Sequence, residues 1–308
     1  MKGIVEEKPW IVSTLPIKGA GGGRLDFDKS YIVNALVASR EHKVKSTGIT
    51  VGEEIAHNVN TLLDIEAGDK IADLGCGPGL IAKYLLHEIG ETGRLYCVDA
   101  SEAMLTRAIK SVNETKTVAA GNTTFINGDI HVVDKLIPEK LDGILLSGNV
   151  HLLTNRLMAF RAMRKLLKPD GKLVVVCHAY FHGQESTNSF AGAVDNLREN
   201  RPDLKVDGLR LPMMSAKELH EVMRTIEQSG LNVQAHDNDT FAPDVNWVFG
   251  WPPQQTIIKR LEVLMPQATE SQRTLIALGA LNDVASGRPS QVYLHCSQQP
   301  HPFQILKS

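Results

Sequence analysis

Three glycines at alternate positions form the most distinctive chemical feature of the sequence. Gly75, Gly77 and Gly79 lie in the stretch "IADLGCGPG", directly after an apolar run that ends in an acid, Asp73. A glycine-rich turn between a parallel strand and its helix leaves the backbone bare, so that a ligand can lie against it. The spacing therefore predicts a cofactor site at the carboxyl edge of a parallel sheet.

Two classes of ligand use such a turn. A dinucleotide requires the order Gly-x-Gly-x-x-Gly, which places its pyrophosphate at the N-terminus of the following helix. Leu80 stands where that pattern has its last glycine. The order of the glycines therefore disfavours NAD(P), although an NAD(P)-linked Rossmann oxidoreductase stays open as an alternative.

A carboxylate follows the glycines at the distance expected for a nucleotide site. Asp99 stands 20 residues after Gly79, at the end of the β-rich stretch "RLYCVDA". A carboxylate at this point can accept hydrogen bonds from both ribose hydroxyls of an adenosine. This role is shared by NAD sites and by other adenosine sites, so Asp99 supports a cofactor without identifying it.

The elements that must position these residues follow a regular alternation. From Lys70 onward, β-rich runs at 70–75, 94–100, 123–129, 141–148 and 171–179 alternate with helical patterns at 80–89, 101–112 and 155–167. Ser101 is the predicted N-cap of the second helix, and a further helix at 215–230 precedes two late strands, "LNVQAHDND" and "SQVYLHCS". We predict an α/β fold with a doubly wound, Rossmann-like, seven-stranded, mostly parallel sheet.

Two parts of the chain fall outside this alternation. Residues 1–65 carry helical patterns at 29–39 and 51–63 and are predicted to form an N-terminal helical cap or lid. Residues 66–308 are predicted to form the core, with insertions at about 180–212 and about 241–289, the second being helical and placed before the last strand.

Composition excludes several classes of protein. The chain has 308 residues, 43% hydrophobic and 22% charged, which is typical of a globular protein. Its net charge of -2 and its lack of a basic face predict no nucleic-acid partner. No stretch approaches the roughly 18 apolar residues of a membrane span, so no membrane partner is predicted. Four widely spaced cysteines without a C-x-x-C pair and a charged N-terminus lead us to expect a cytoplasmic protein.

The stretch "IADLGCGPG" resembles motif I of the class I S-adenosylmethionine-dependent methyltransferases, in which an acid ends the first strand before Gly-x-Gly-x-Gly. Three later stretches agree in order and spacing with that family. "LYCVDAS" is similar to its second-strand motif, "INGDI" to its third-strand acid, and "LLKPDGKLVVV" to its helix-turn-strand segment. The resemblance covers residues 67–178 and implies a methyltransferase core.

The resemblance implies S-adenosyl-L-methionine as the cofactor. Asp99 would accept from the ribose hydroxyls, and Asp129 from the adenine amino group, while Ile130 and Met104 would cover the two faces of the ring. Asp73 suits the cationic methionine end of the cofactor. The predicted cofactor-binding residues are Asp73, Gly75, Cys76, Gly77, Gly79, Asp99, Ala100, Met104, Asp129, Ile130 and Ser147.

The acceptor side carries weaker signals. The stretch "SGNVHLL" after the fourth strand is similar to the family's Asn-Ala-Leu-His-His-Leu stretch, which makes His151 the candidate general base. A structural or substrate-orienting role for His151 stays open. His178 is a candidate substrate-binding residue, and its four-residue spacing from His182 does not suffice to predict a metal site, so no metal is expected.

Aromatic residues are concentrated at the start of the second insertion. Phe241, Trp247, Phe249 and Trp251 lie within eleven residues. They either anchor the insertion on the sheet or line a pocket for a flat or apolar acceptor, and Trp247 and Trp251 are the predicted substrate-binding residues.

The sequence therefore predicts a methyltransferase acting on a small-molecule acceptor whose reacting atom, oxygen, nitrogen or carbon, is open. A protein that binds S-adenosylmethionine without transferring its methyl group is a further alternative. The oligomeric state is open.

Overall fold

The computed structural model describes residues 10–12, 41, 48–181, 199–201, 203, 214–238, 262, 266–276, 278 and 288–299. The predicted helix at 29–39 and most of the two predicted insertions lie outside these residues. The predictions for those segments are therefore not tested.

Nine strands form one mixed sheet in the described part of the chain, in the order β1-β4-β3-β2-β5-β6-β9-β8, with β7 also paired to β6. All pairings are parallel except those of β9, which runs antiparallel to β6 and β8. The seven predicted strands are confirmed, and β1 and β7 are short additions. The strands are β1 Trp10–Val12, β2 Lys70–Leu74, β3 Arg94–Asp99, β4 Thr123–Asn127, β5 Leu141–Ser147, β6 Leu167–Phe181, β7 Met214–Ser215, β8 Asn232–Asn238 and β9 Arg288–Ser297.

Five α-helices flank the sheet in the described residues: α1 Val51–Leu63, α2 Ala82–Ile89, α3 Glu102–Asn113, α4 Arg156–Leu166 and α5 Ala216–Gln228. Each matches a helix predicted from the sequence. Ser101 is the N-cap of α3, as predicted, because its Oγ accepts a hydrogen bond from the Met104 amide at 3.1 Å.

The start of β6 differs from the prediction. The turn expected at "KPDG" is already part of the strand, which begins at Leu167 and pairs with β5 through a shift of register between Leu141 and Gly143. The helix before it ends early because Pro169 disfavours helical backbone at Lys168. The strand is therefore four residues longer at its start than predicted.

The sheet carries an apolar layer on each face because its side chains alternate. Ile71, Cys97 and Val174 belong to the layer with helices α1, α2 and α3. Ala72 and Val175, one residue further along their strands, belong to the layer with α4 and α5. This arrangement fixes the carboxyl ends of the parallel strands at one edge, where the predicted site lies.

Helix α1 packs on the sheet as a part of this core. Val51, Ile55, Val59 and Leu63 are all buried, and they lie in the same apolar cluster as Ile71. The predicted N-terminal cap, residues 1–65, thus includes one helix of the core layer, and the cap itself stays a prediction. No helix among the described residues has the length and apolar character to cross a bilayer.

A polar cluster at the opposite, amino edge of the sheet ties β2, β3 and the chain before β5 together. Glu139 accepts hydrogen bonds from Lys70 and Tyr96 and forms an ion pair with Arg94 at 3.4 Å. Burial alone would raise the pKa of Glu139, but the hydrogen bonds from Lys70 and Tyr96 and the nearby positive charges lower the pKa of this carboxyl overall.

This lowered pKa predicts a pH-dependent contribution to stability. A carboxyl whose pKa is lowered by folding stabilises the protein above the pKa of the unfolded chain, and the contribution is lost as the pH falls through the folded pKa. Glu139→Gln should therefore reduce the free energy of unfolding by about 0.5 to 1 kcal/mol at pH 7. The difference in stability between the two proteins should shrink as the pH falls below the ordinary carboxyl pKa. It should vanish below the lowered pKa of Glu139 in the folded protein, because the wild-type carboxyl is then protonated and uncharged as well. Urea denaturation measures this, with the exposed Glu114→Gln as the control.

Candidate active site

The three glycines of the turn all have left-handed backbone conformations, with φ of 68°, 53° and 74°. A Cβ at Gly79 would lie 2.8 Å from the Ala108 Cα of α3, and a Cβ at Gly75 would lie 2.2 Å from the Asn149 Nδ2. These two glycines therefore allow the turn to approach its protein neighbours. A Cβ at Gly77 would meet no atom within 4 Å, so this glycine presents bare backbone to open space.

Asp99 is fixed between the glycine turn and the start of α3. Its Oδ2 accepts a hydrogen bond from the Gly77 amide at 2.9 Å, and its Oδ1 accepts one from the Ser101 amide at 2.9 Å. Each oxygen of a carboxylate has more than one acceptor position. The side chain lies at the end of β3, half-buried, where the sequence predicts the ribose-binding acid.

Two asparagines that sequence reasoning missed hold the strand ends around the site. Asn149 donates from Nδ2 to the carbonyl oxygens of Gly75 at 2.7 Å and Ser147 at 2.9 Å, and thereby joins the ends of β2 and β5. Asn127 donates from Nδ2 to the carbonyl oxygens of Asp99 at 3.1 Å and Ala100 at 3.0 Å. Asn127 is the last residue of β4, and Asn149 comes shortly after β5. Nothing in the sequence indicates which backbone carbonyls accept hydrogen bonds from their side chains.

Removing the Asn149 amide should loosen the turn and the sheet edge together. Asn149→Ala leaves two carbonyl oxygens without this donor, and we expect the free energy of unfolding to fall by about 1 to 3 kcal/mol. Urea denaturation measures the loss. Asn113→Ala, at the exposed end of α3, is the matched control and should change stability little. Equal stability of the Asn149 variant and the wild type would show that the amide does not hold the strand ends.

Asp129 is buried at the N-terminus of the short 3-10 helix Ile130–Lys135, where it caps the helix. Its Oδ1 accepts from the His131 amide at 2.9 Å and from the His131 Nδ1 at 2.6 Å. The His131 Nε2 accepts from the Asn155 amide at 3.2 Å, so the ring proton lies on Nδ1. His131 therefore orients the predicted adenine-binding acid, a role that the sequence did not indicate.

The other predicted cofactor-binding residues on β2 and β5 are buried around the turn. Asp73 lies in β2 and is 2% exposed. Ser147 is buried at the end of β5, and its Oγ has no hydrogen-bond partner among the described residues. A buried hydroxyl of this kind is expected to bind a ligand or water.

Cys76 has no feature of a reactive thiol. It is buried, and its contact with Cys97, together with burial and the charges of Asp99 and Asp73, raises the pKa of the Cys76 thiol well above its ordinary value. A thiol with a raised pKa is neutral and unreactive at neutral pH. Cys76 therefore serves the turn as a small buried side chain.

The predicted adenine-flanking residues follow the ends of two neighbouring strands, β3 and β4. Met104 is buried in the first turn of α3, and Ile130 is half-buried beside the apolar layer of α4 and α5. Ala100 follows Asp99 and is half-buried. The structure brings these residues to the same sheet edge as the glycine turn.

His151 lies in a 3-10 helix, Val150–Leu152, directly beyond the end of β5. The helix is held by the Arg156 Nε, which donates to the Val150 carbonyl oxygen at 3.2 Å, and by the Gly148 amide, which donates to the Val176 carbonyl oxygen at 3.0 Å. His151 is half-buried. It therefore stands at the carboxyl edge of the sheet, beyond the end of β5.

The predicted substrate-binding residues are only partly described. His178 lies in β6 in register with Gln291 of β9, near the carboxyl edge. Trp247 and Trp251 lie outside the described residues, and their contact with the acceptor stays a prediction. Among the described residues, no group of three or more His, Cys, Asp or Glu side chains is arranged to hold a metal.

The sheet order, the open glycine turn and the acid at the end of β3 together define a Rossmann-like site for an adenosine cofactor. Residues 71–171 match the family model of a methyltransferase domain. The match begins in β2 and includes the glycine turn, Asp99, Asp129 and His151.

Curated relatives match about two fifths of the chain. A probable cobalt-precorrin-6B C(15)-methyltransferase (decarboxylating) of Saccharolobus solfataricus is 28% identical over 123 residues, which are 40% of this chain and 59% of the relative. A ubiquinone/menaquinone biosynthesis C-methyltransferase of Pseudomonas fluorescens is 28% identical over 117 residues, or 37% of this chain and 44% of the relative. The chain thus spans about half the length of the curated relatives that it matches.

The whole described fold is shared with solved methyltransferase structures. An S-adenosylmethionine-dependent methyltransferase from Thiobacillus denitrificans, solved with S-adenosyl-L-homocysteine, has a TM-score of 0.54 at 15% identity, covering 88% of this chain and 99% of the other. Residues 71–171 thus match a methyltransferase domain, within a fold that is similar to that of a solved S-adenosylmethionine-dependent methyltransferase.

Proposed function

We propose that the protein transfers a methyl group from S-adenosyl-L-methionine to a small-molecule acceptor. The observation that carries the proposal is the bare Gly77 backbone beside the fixed carboxylate of Asp99, within a segment that matches a methyltransferase domain. The net charge of -2, with residues 39–45 as the only dense basic stretch of the sequence, favours a small acceptor over a nucleic acid. The relatives match only about two fifths of the chain, so the acceptor is assigned only by class.

The residues of the site fit this cofactor. We assign the ribose hydroxyls to Asp99, whose carboxylate oxygens each have more than one acceptor position, and the adenine amino group to Asp129. Asp73 supplies negative charge near the turn, which suits an ammonium and a sulfonium better than a pyrophosphate. The turn, Ala100, Met104, Ile130 and Ser147 complete the proposed binding set.

The cofactor supplies a methyl group that is already activated by a sulfonium leaving group. The protein therefore has to align the acceptor and exclude water, which is the contribution of its fixed strand ends. Asn127 and Asn149 hold those ends by their amide hydrogen bonds. His151 is the proposed general base, since its imidazole can take a proton from an acceptor hydroxyl or carbon acid at neutral pH.

A metabolite screen with methyl-labelled S-adenosylmethionine tests the proposed reaction. The protein is incubated with the labelled compound and pools of small metabolites, and the products are identified by mass spectrometry. We expect the label in a small molecule and S-adenosyl-L-homocysteine as the second product. Binding of S-adenosylmethionine without any labelled product would support a protein that does not transfer the methyl group.

A further inference from the structure

A buried polar chain runs from helix α1 to the start of β9. The Asn58 Nδ2 donates to the Tyr293 hydroxyl at 3.1 Å, and this hydroxyl donates to the Gln291 Oε1 at 2.5 Å. Gln291 is 0% exposed and Tyr293 is 2% exposed. None of these residues belongs to the cofactor site described above.

The polarity of the chain leaves an amide donor at its end. Because the Asn58 Nδ2 can only donate, the Tyr293 oxygen accepts from it, and the Tyr293 hydroxyl donates its own hydrogen to the Gln291 Oε1. The Gln291 amide is thereby turned so that its Nε2 points away from Tyr293. This Nε2 is buried and has no hydrogen-bond partner among the described residues.

An unpaired buried amide is costly, so it requires an explanation. A side-chain amide that serves only structure would be expected to use its donor end as well, since a buried donor without a partner costs about 1 to 3 kcal/mol. The hydrogen bond to Tyr293 accounts for Oε1 alone. A ligand or a water molecule can supply the missing acceptor, and the position of Gln291 in the sheet bears on which of them does.

The position of Gln291 places the donor at the functional edge of the sheet. Since β9 is antiparallel, its first residues lie at the carboxyl edge, and Gln291 is in register with His178 of β6 and Asn238 of β8. Val176, two residues before His178, pairs with Ser147, the last residue of β5. Gln291 is therefore about 7 Å beyond the level of the β5 end, on the His151 side of the glycine turn.

Helix α1 contributes further polar character on this side. Glu54 lies one turn before Asn58 on the same face of α1. It is a charged residue that is buried together with the apolar residues Val51 and Ile55. A buried polar strip therefore continues from Tyr293 along α1, toward the N-terminus of the helix.

We propose that Gln291 binds an oxygen atom of the methyl acceptor through its Nε2, with Asn58 and Tyr293 orienting the amide. This inference rests on the proposed methyl transfer and names a property of its substrate: the acceptor carries a carbonyl, hydroxyl or phenolate oxygen beside the atom that is methylated. A neutral amide donor selects such an oxygen over a hydrocarbon group, because a hydrocarbon would leave the donor unpaired.

The test uses the complex of the full chain with saturating S-adenosyl-L-homocysteine and two pairs of probes. Phenol and cyclohexanone carry an oxygen, and toluene and methylcyclohexane are their oxygen-free counterparts. Binding is measured by saturation-transfer NMR for the wild type, for Gln291→Met, which keeps the length of the side chain, and for Tyr293→Phe, which removes only the orienting hydroxyl. The affinity of each protein for S-adenosyl-L-homocysteine is measured in parallel by calorimetric titration.

We expect Gln291→Met to bind at least one oxygen-bearing probe about tenfold more weakly than the wild type, with toluene and methylcyclohexane unchanged. Tyr293→Phe should weaken the same probe less, and both variants should bind S-adenosyl-L-homocysteine like the wild type. The role of Gln291 would be overturned if the oxygen-bearing probes bind all three proteins with the same affinity, or bind none of them. A wild type that does not bind S-adenosyl-L-homocysteine would instead overturn the proposed function. If Gln291→Met does not fold, an unchanged probe affinity in Tyr293→Phe overturns the orienting chain.

Discussion

Asp99→Ala should weaken the binding of S-adenosyl-L-homocysteine by about 1.5 to 3 kcal/mol, or roughly 10-fold to 150-fold in Kd. The variant loses the carboxylate that we assign to the ribose hydroxyls, whose oxygens are held by the amides of Gly77 and Ser101. Hydrogen bonds to a charged group are stronger than neutral ones, which explains the size of the effect. Isothermal titration calorimetry measures it directly.

The same substitution releases the Gly77 amide, so a part of the loss could come from a loosened turn. Asp99→Asn separates the two contributions, because it keeps one acceptor oxygen for a backbone amide but loses the charge. Glu114→Ala, at the exposed far end of α3, is the control for removing an acid near this helix and should leave the Kd unchanged. Unchanged affinity in a folded Asp99→Ala protein would remove Asp99 from the site.

His151→Ala should lower turnover about a hundredfold or more while the Kd of the cofactor stays nearly the same. The reason is its place in the 3-10 helix beyond β5, at the carboxyl edge of the sheet and held there by Arg156. A base that acts on the acceptor affects kcat and not cofactor binding. Turnover is measured with labelled S-adenosylmethionine and the acceptor that the metabolite screen identifies.

His87→Ala is the matched control, because His87 is exposed in the last turn of α2, at the end of the helix opposite to the glycine turn. It should have the turnover of the wild type. A His151 variant with full turnover would mean that alignment alone accelerates the transfer. A variant with a weaker cofactor Kd and unchanged kcat would place His151 at the cofactor instead.

The sequence predicted the elements and the cofactor edge because both depend on local patterns. The alternation of strands with helices, the N-cap Ser101 and the spacing of Gly75, Gly77 and Gly79 are all read within a few residues. The carboxyl ends of parallel strands meet at one edge, so the sequence alone suffices to assign Asp73, Asp99 and Asp129 to that edge. Their ligand contacts stay predictions.

Interactions between distant parts of the chain could not be predicted. Asn149 bonds a carbonyl 74 residues away, and Asn58 bonds Tyr293 across 235 residues. A polar residue at the end of a strand looks the same in the sequence whether it faces solvent or joins two strands. The contact between Asp129 and His131 was missed for a related reason, because an acid and a histidine two residues apart are not a typical sequence signal of a capping pair. The short strand β1 pairs with β4 more than one hundred residues later, so it too had no local signal.

We propose that the glycine turn and Asp99 form a site for S-adenosylmethionine and not for a dinucleotide. The decisive measurement is a calorimetric titration of the wild-type chain with S-adenosyl-L-methionine, S-adenosyl-L-homocysteine and NAD in parallel. We expect one site of micromolar-range affinity for the first two compounds and no measurable heat for NAD. Tight binding of NAD without binding of S-adenosylmethionine would contradict it.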